Sequence, residues 1–271
     1  MGLDEIGPWS EIKLEIVRDY AAEYSKIITQ QELPLHHVYI DAFAGAGQHI
    51  SKTTGKMVLG SPANALLVQP PFLEYHFIDI ESSRIEELQR LARDRAKVSV
   101  YPGDCNEILL SKVFPRLAWE DYRRGLCLLD PYGLHLDWKV IETAGRMKSL
   151  EVFLNFPVAD MNRNVLWKDP TRVSPDQAVR MTRFWGNDSW RDVAYSTSSN
   201  LFGWHEKTDN DTIAEAFRER LGEVACFTHV PAPLAFKNSR DAIIYYLFFA
   251  SQKPVAEGIV QHIFNKYRTR L

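Results

Sequence analysis

The stretch at residues 38–47 constrains the fold of this chain more than any other. Residues 38–40 are bulky and apolar and predict a buried strand, which ends at the acidic residue Asp41. A turn of small residues follows and contains two glycines, Gly45 and Gly47. Open α/β sheets bind ligands at the carboxyl ends of their strands, and glycine lets a ligand approach the backbone without meeting a Cβ. The stretch therefore predicts a ligand site at a sheet edge, and a ligand-free turn is the simpler alternative.

The composition is typical of a globular protein of one large domain or two small ones, with 271 residues, 45% of them hydrophobic and 25% charged. The net charge of −3 argues against a basic nucleic-acid coat but allows a local basic patch. Cys105, Cys127 and Cys226 lie far apart and form no CxxC pair, so neither a disulfide framework nor a metal site is predicted.

The location of the protein is predicted from the same features. Lone thiols are typical of a reducing cytoplasm. The first residues lack the basic start and apolar run of a signal peptide. The longest apolar run, residues 242–250, is too short to span a bilayer. We therefore expect a cytoplasmic protein that does not enter a membrane.

Strands and helices are predicted to alternate through the first 157 residues. An amphipathic helix at residues 9–31 is expected to pack on the sheet. A polar loop is predicted at residues 48–59, and Ser61 is expected to cap the helix that follows. The predicted strands are residues 38–42, 74–80, 97–101, 125–129 and 151–156, and further helices are predicted at 82–95, 106–114 and 138–147. This alternation predicts parallel βαβ units with right-handed crossovers.

The pattern changes after Pro157. Residues 158–222 contain no clear core strand and are predicted to be a helical insert within a single domain, residues 1–271. Strands are then expected at residues 224–230 and 242–250, with a closing helix at 254–267. No helix separates the last two strands, so they are predicted to be antiparallel. The predicted fold is an α/β, Rossmann-like sheet that is mostly parallel with an antiparallel last strand.

Four acidic residues stand at or just beyond the ends of predicted strands: Asp41, Asp79, Asp104 and Asp130. The carboxyl ends of parallel strands share one edge, so these residues are expected to line one crevice, although each alone is equally well a solvated loop carboxylate. A nucleotide-like cofactor would use the backbone at Gly45 and Gly47, with Asp79 on the ribose and Asp104 on the adenine. Nicotinamide dehydrogenases and S-adenosylmethionine (SAM) methyltransferases both use such a layout.

The glycine pattern decides between these two classes. The dehydrogenase fingerprint G-x-G-x-x-G lacks its third glycine here, because Gln48, His49 and Ile50 follow Gly47. The next helix begins only after Gly60, so a pyrophosphate could not rest on its N-terminus. SAM has no phosphates and does not need that helix end. The sequence therefore favours a SAM site.

Residues 41–47 resemble the first motif of class I methyltransferases, with Phe43 in place of the usual first glycine. The resemblance extends over nearly the whole chain except the insert. It implies that Asp41, Gly45 and Gly47 contact the methionine end of SAM, Asp79 the ribose and Asp104 the adenine. The candidate cofactor-binding residues are Asp41, Phe43, Gly45, Gly47, Ser61, Asp79 and Asp104.

The run Asp130-Pro131-Tyr132-Gly133 is the candidate catalytic segment. It resembles the Asn/Asp-Pro-Pro-Tyr/Phe motif of enzymes that methylate exocyclic amines of bases, without the second proline, and is closer to the Asp-Pro-Phe-Gly form of tRNA N2-guanine dimethyltransferases. Asp130 and the Pro131 carbonyl would orient the amine, and Tyr132 would stack on a base that is flipped out of its duplex. A simple strand-ending turn is the alternative. Covalent cytosine-5 chemistry is disfavoured because no Pro-Cys stands at the fourth strand.

A narrower resemblance is to the three-Cys-motif partner (TcmP) family. The matching segments, in order, are residues 39–47, 60–62, 77–79, 103–104, 129–133, 155–157 and 245–247. This resemblance implies a bacterial or phage-associated methyltransferase-like protein. It also implies a radical-SAM-like partner, encoded nearby, to which the three cysteines of the family name belong.

Three functions therefore stay open. The leading hypothesis is SAM-dependent methylation of an exocyclic amine on a nucleic-acid base. The alternatives are a non-catalytic partner of a radical-SAM-like protein and a small-molecule methyltransferase. Basic and aromatic residues of the insert, including Arg163, Trp167 and Arg180, are compatible with a nucleic-acid surface, a partner-docking surface or an ordinary solvated lobe.

Overall fold

A seven-stranded sheet forms the centre of the computed structural model, which describes residues 4–95, 97–196 and 206–271. In chain order its strands are β1 (His36–Asp41), β2 (Glu74–Asp79), β3 (Val98–Pro102), β4 (Arg123–Leu129), β5 (Leu150–Phe156), β6 (Leu234–Lys237) and β7 (Ile243–Ala250). Their order across the sheet is β6-β7-β5-β4-β1-β2-β3. Strands β1 to β5 pair in parallel, whereas β7 is antiparallel to both β5 and β6. The predicted fold class is confirmed.

Ten α-helices are found among the described residues. They are α1 (Pro8–Thr29), α2 (Ser61–Leu66), α3 (Ser82–Ala92), α4 (Cys105–Ile108), α5 (Trp138–Met147), α6 (Val158–Asn164), α7 (Pro175–Trp185), α8 (Trp190–Ala194), α9 (Asn210–Glu223) and α10 (Pro254–Arg268). Helix α4 continues as a π turn, Leu109–Val113, and a 3-10 turn, Phe114–Arg116. No described helix has the length and apolar character that a membrane span requires.

Helices cover both faces of the sheet, and this explains the continuous apolar runs of its central strands. Side chains alternate along β5: Phe153 joins the core beneath α1 and α10, whereas Val152 and Leu154 join the core beneath α4 and α5. Strands β1 and β4 lie side by side, and the crossovers from β1 and from β4 run in opposite directions across the sheet. Ligands bind at such a switch point in open α/β sheets.

The region after β5 completes the core on one face. Phe217 of α9 packs on Phe156 at the end of β5, with ring centroids 4.7 Å apart, and Phe184 of α7 packs 5.6 Å from Phe217. Trp185 and Trp190 are buried in the same core. Residues 197–205 of the predicted insert lie outside the described residues, and the single-domain assignment stays a prediction.

The strand predicted at residues 224–230 was wrong. The backbone turns there, with Cys226 in the left-handed region at a φ of 68°, and the strand that pairs with β7 is β6. Strand β6 lies at the sheet edge and follows Pro231 and Pro233. Edge strands tolerate nearby prolines because one of their sides needs no hydrogen-bond partner.

Two local predictions before α2 also need correction. Residues 48–59 form a hairpin of two short strands, Gln48–Ser51 and Met57–Leu59, and Glu5–Ile6 pairs in parallel with the first of them. Ser61 is the first residue of α2, while Gly60 occupies the cap position and makes no side-chain cap bond. The N-terminal segment thus lies over the carboxyl edge of the sheet, where the hairpin fixes it.

Candidate functional site

A cavity of about 310 Å³ opens at the carboxyl edge, beside the ends of β1, β4 and β5. Its volume lies at the lower end of small-molecule sites. Six predicted site residues line it: Phe43, Gly45, Ser61, Asp130, Pro131 and Tyr132. Asp41, Gly47, Asp79 and Asp104 do not reach its wall. The structure therefore brings together the glycine turn and the candidate catalytic segment, but of the four acidic residues expected to share one crevice, Asp130 alone lies in the cavity wall.

The turn after β1 owes its shape to glycine. Gly45 and Gly47 have φ values of 62° and 77°, in the left-handed region that other residues rarely adopt. Asp79 holds this turn from below: its Oδ2 accepts a hydrogen bond of 2.9 Å from the Gly45 N–H, and its Oδ1 accepts one of 2.9 Å from the Glu81 N–H. Asp79 is 6% exposed. Its position therefore fixes the turn that lines the cavity.

Asp41 is fully buried directly beneath the cavity. The Phe43 N–H donates to its Oδ1 at 3.3 Å, whereas Oδ2 has no hydrogen-bond partner among the described residues. Burial raises the pKa of Asp41 to about 7, and the nearby Asp130 charge contributes in the same direction. The Ser61 hydroxyl lies close and opposes this shift. The Asp41 carboxyl therefore changes its charge near neutral pH.

Asp104 serves a local role in this structure. Its side chain caps α4 and accepts from the Asn106 N–H at 2.7 Å and from the Glu107 N–H at 3.4 Å. The Gly103 N–H donates to the Asp79 carbonyl at 3.0 Å and joins the ends of β2 and β3. Asp104 stands apart from the cavity, so the predicted adenine contact stays a prediction.

Helix α1 contributes to the cavity, although core packing alone was expected for it. Lys13 Nζ lies 2.6 Å from Oδ1 and 2.5 Å from Oδ2 of Asp130. Lys13 is 8% exposed and also lies over the ring of Tyr245, 5.1 Å from its centroid. A signal was present in the sequence, because Lys13 shares the apolar helical face of Ile16 and Tyr20. A lysine on such a face requires a buried partner.

Two further residues at the cavity have unsatisfied acceptor atoms. Asn155 at the end of β5 donates from Nδ2 to the Pro131 carbonyl at 3.2 Å, and its Oδ1 has no partner among the described residues. Asp160 of α6 accepts from Asn164 Nδ2 at 2.8 Å through Oδ1, and its Oδ2 likewise has none. Sequence reasoning missed both residues. An asparagine within the apolar strand β5 was the available signal.

Tyr132 marks the outer wall of the cavity. It is 70% exposed, and the Arg84 guanidinium lies 5.6 Å from its ring centroid. Arg84 also pairs with Asp4 at 3.0 Å and lies 3.8 Å from Asp79. These contacts connect the N-terminal segment, the end of β2 and the outer wall of the cavity. Ile80, directly after β2, is 72% exposed and presents apolar surface at the same edge.

A larger cavity, of about 710 Å³, lies at the opposite edge of the sheet between α1 and the start of α10. It contains none of the predicted site residues. Glu151 is in its wall and accepts a hydrogen bond of 2.6 Å from the Tyr20 hydroxyl, and burial raises the pKa of Glu151 to about 7. The amino edge of a parallel sheet is not where open α/β proteins bind their ligands.

Comparison with known proteins identifies the fold. No protein-family model and no curated protein matches the chain. The structure is similar to that of LPL1258 from Legionella pneumophila, of the family DUF519, with 11% identity, a TM-score of 0.55 and coverage of 94% of this chain and 91% of that one. This likeness shows a shared fold over nearly the whole of both chains.

Two other solved structures are more distant. A putative methyltransferase from Thermobifida fusca is 15% identical, with a TM-score of 0.44 and coverage of 89% of this chain and 79% of that one. The N-methyltransferase NodS from Bradyrhizobium japonicum, in complex with S-adenosyl-L-homocysteine, is 11% identical, with a TM-score of 0.43 and coverage of 91% and 89%. Membership of the three-Cys-motif partner family stays a prediction.

Proposed function

We propose that this protein is a SAM-dependent methyltransferase whose acceptor is an exocyclic amine of a nucleic-acid base. The observation that carries the proposal is the meeting of two segments in one cavity. Gly45 lies in one wall, and Asp130, Pro131 and Tyr132 form another. A cofactor against the first wall and an amine against the second would be held for in-line transfer.

The residues at the cavity fit this cofactor. The backbone at Gly45 is free of a Cβ, so a ligand can approach it closely, and Asp79 keeps that backbone in place. SAM carries a positive sulfonium beside its zwitterionic amino-acid group, and the buried Asp41 carboxyl near the cavity favours a cation there when it is ionised. Ile80 provides apolar surface for an adenine ring. When bound, the cofactor supplies an electrophilic methyl group.

The acceptor side depends on the turn after β4. Tyr132 is exposed and has a ring on which a base can stack, a contact worth about 1–3 kcal/mol per base. Asn155 fixes the Pro131 carbonyl, and Lys13 fixes the Asp130 carboxylate. The chain's contribution to catalysis is therefore the placement of a flipped-out base beside the methyl donor.

Calorimetry and a transfer assay test this proposal. S-adenosylhomocysteine should bind the wild type, and Asp79→Ala should weaken binding by about tenfold or more, because a charged hydrogen-bond acceptor that supports Gly45 is lost. Glu81→Ala, two residues away, is the matched control and should bind normally. Asp130→Ala should bind the cofactor but transfer no tritiated methyl group to RNA or DNA. Failure of the wild type to bind the cofactor would overturn the proposal.

A second candidate function is supported by the Lys13–Asp130 pair. Both oxygens of Asp130 are already bound by Lys13, as expected for a structural pair in a non-catalytic partner of a radical-SAM-like protein. Such a protein would co-purify with its genomic neighbour and would show no transfer. Mass spectrometry of RNA and DNA from cells with and without the gene distinguishes the two functions, because only an active enzyme leaves a modified base.

A further inference from the structure

Two acceptor atoms at the cavity have no donor. Asn155 is 8% exposed, and its Oδ1 has no hydrogen-bond partner among the described residues. Asp160 Oδ2, also buried, is in the same situation. Both residues line the cavity. A buried acceptor without a partner costs about 1–3 kcal/mol, so native structures nearly always provide one.

The positions of these two atoms are fixed by their neighbours. The Nδ2 of Asn155 donates to the Pro131 carbonyl at 3.2 Å, which leaves Oδ1 for another group. The Oδ1 of Asp160 accepts from Asn164 at 2.8 Å, which leaves Oδ2. A Cβ built on Gly133 would lie 2.9 Å from Asp160 Oδ2. Both side chains therefore contact the same turn, residues 130–133, which forms the acceptor wall of the cavity.

The missing donor does not come from the described part of the chain. Lys13, the buried cation of the cavity, is engaged with Asp130. Arg163 of α6 also lines the cavity, but no ion pair joins it to Asp160 among the described residues. The amide of Asn155 and the carboxylate of Asp160 both require an N–H or O–H group. An exocyclic amine supplies two N–H groups on one nitrogen.

We propose that Asn155 Oδ1 and Asp160 Oδ2 together bind the two N–H groups of the amine that receives the methyl group. This inference rests on the proposed function and moves the amine-binding role from Asp130 to Asp160. In the transfer, the N–CH₃ bond forms as the S–CH₃ bond breaks, and the sulfonium becomes a neutral thioether. The nitrogen then releases one proton to the Asp160 carboxylate, which passes it to water.

The test compares nucleotides that carry an exocyclic amine with nucleotides that lack it; guanosine and inosine monophosphates differ in the amine alone, whereas a carbonyl replaces the amine in the matches for adenosine and cytidine monophosphates. Adenosine, cytidine and guanosine monophosphates are titrated into the protein loaded with S-adenosylhomocysteine. Inosine monophosphate is the amine-free match for the two purines, and uridine monophosphate is the match for cytidine monophosphate. At least one amino nucleotide should bind the wild type about tenfold or more tighter than its match, because two buried acceptors would otherwise stay unpaired.

Variants of Asp160 and Asn155 show whether these two residues bind the amine. Asp160→Asn places an N–H donor where Oδ2 stood, so the preference for the amino nucleotide should fall below about threefold while cofactor affinity is unchanged. Asn155→Leu removes the other acceptor and should have the same effect. It serves as the test if Asp160→Asn fails to fold. Asp176→Asn, an exposed change on α7, is the matched control and should keep the preference.

Two outcomes would overturn the inference. If Asp160→Asn weakens S-adenosylhomocysteine binding about tenfold, the two acceptors hold the ammonium of the cofactor and not the amine of the acceptor. If the wild type binds the cofactor but shows no preference for any amino nucleotide, the subsite does not exist and the cofactor assignment stands. A wild type that does not bind the cofactor would instead disprove the proposed function.

Discussion

Lys13 of α1 and Asp130 at the end of β4 form an ion pair in which Lys13 Nζ lies 2.6 Å and 2.5 Å from the two carboxylate oxygens. The residues are 117 positions apart in the chain. The side chains are 10% and 25% exposed, so water screens the pair only in part. The pair fixes the first helix over the carboxyl edge and closes one side of the cavity.

Lys13→Met should therefore destabilise the protein by about 2 kcal/mol. The cost is below the roughly 3–5 kcal/mol of a fully buried broken pair, because Asp130 keeps some contact with water. Adding Asp130→Asn to Lys13→Met should recover part of the loss, because no uncompensated charge then remains. Urea denaturation of the two single variants and the double variant measures this coupling.

Lys26→Met is the control for this cycle. Lys26 lies on the same helix and pairs with Glu23 at 2.8 Å, but both side chains are about half exposed. Exposed pairs contribute little, so this variant should change stability by less than about 0.5 kcal/mol. Equal losses for Lys13→Met and Lys26→Met would show that the Asp130 pair is not specially stabilising.

Replacing one of two helical glycines by alanine should raise the stability of the protein, and replacing the other should lower it. Alanine is preferred to glycine in a helix by about 1 kcal/mol. At Gly258 of α10 no atom lies within 4 Å of an added Cβ, so Gly258→Ala should stabilise the protein. At Gly145 of α5 the Cβ would lie 1.9 Å from the Ala225 carbonyl oxygen, so Gly145→Ala should destabilise it by about 3 kcal/mol or more.

Thermal unfolding of Gly258→Ala, Gly145→Ala and the wild type measures both changes in stability. Expected are a higher midpoint for Gly258→Ala and a lower one for Gly145→Ala. A neutral Gly145→Ala would mean that the turn after α9 can move away from α5, and the close backbone contact would then be unimportant. The turn at Ala225 lies in the segment for which a strand was wrongly predicted.

The sequence predicts the sheet better than the site. The apolar runs of β1, β4 and β5 identify buried parallel strands, and the residue that follows or ends each strand must lie at one edge. That edge is where Gly45 and Asp130 meet. Local signals also explain Asp104, since an aspartate followed three residues later by Glu107 is typical of a helix cap.

The remaining site contacts join distant parts of the chain. Lys13 reaches Asp130 across 117 positions, and Asn155 reaches Pro131 across 24. Such contacts depend on how helices are placed on the sheet, which periodicity does not specify. Sequence patterns also do not show which oxygen of Asp160 is left without a donor. That property depends on the hydrogen bond from Asn164 and on the space left by Gly133.

Gly133→Ala is predicted to displace Asp160. Gly133 is buried, and a Cβ there would lie 2.9 Å from Asp160 Oδ2. The clash should cost about 1–3 kcal/mol of stability. Asp160→Ala removes the clashing atoms, so Gly133→Ala should cost much less in that background. Chemical denaturation of the four proteins measures this rescue, and equal costs in both backgrounds would show that Asp160 does not contact this turn.

The buried Asp41 should make stability depend on pH. Its folded-state pKa is about 7, whereas an unfolded aspartate titrates near about 3.9. Between these values the folded state holds a proton that the unfolded state has lost, so the wild type loses stability as the pH rises from about 4 to about 7. Asp41→Asn has no such proton. Its stability relative to the wild type should therefore rise over that range, by up to about 4 kcal/mol, and level off above it.

Asp19→Asn is the matched control for the pH experiment. Burial alone would raise the pKa of Asp19, but hydrogen bonds from Lys266 and Tyr267 lower it overall. Asp19 is therefore ionised in both the folded and unfolded states above about pH 5, and its variant should show a constant difference from the wild type between pH 5 and 7. Denaturant unfolding at several pH values measures both differences. A flat difference for Asp41→Asn would mean that its carboxyl is solvated or paired, and that its surroundings are more open to water than its burial indicates.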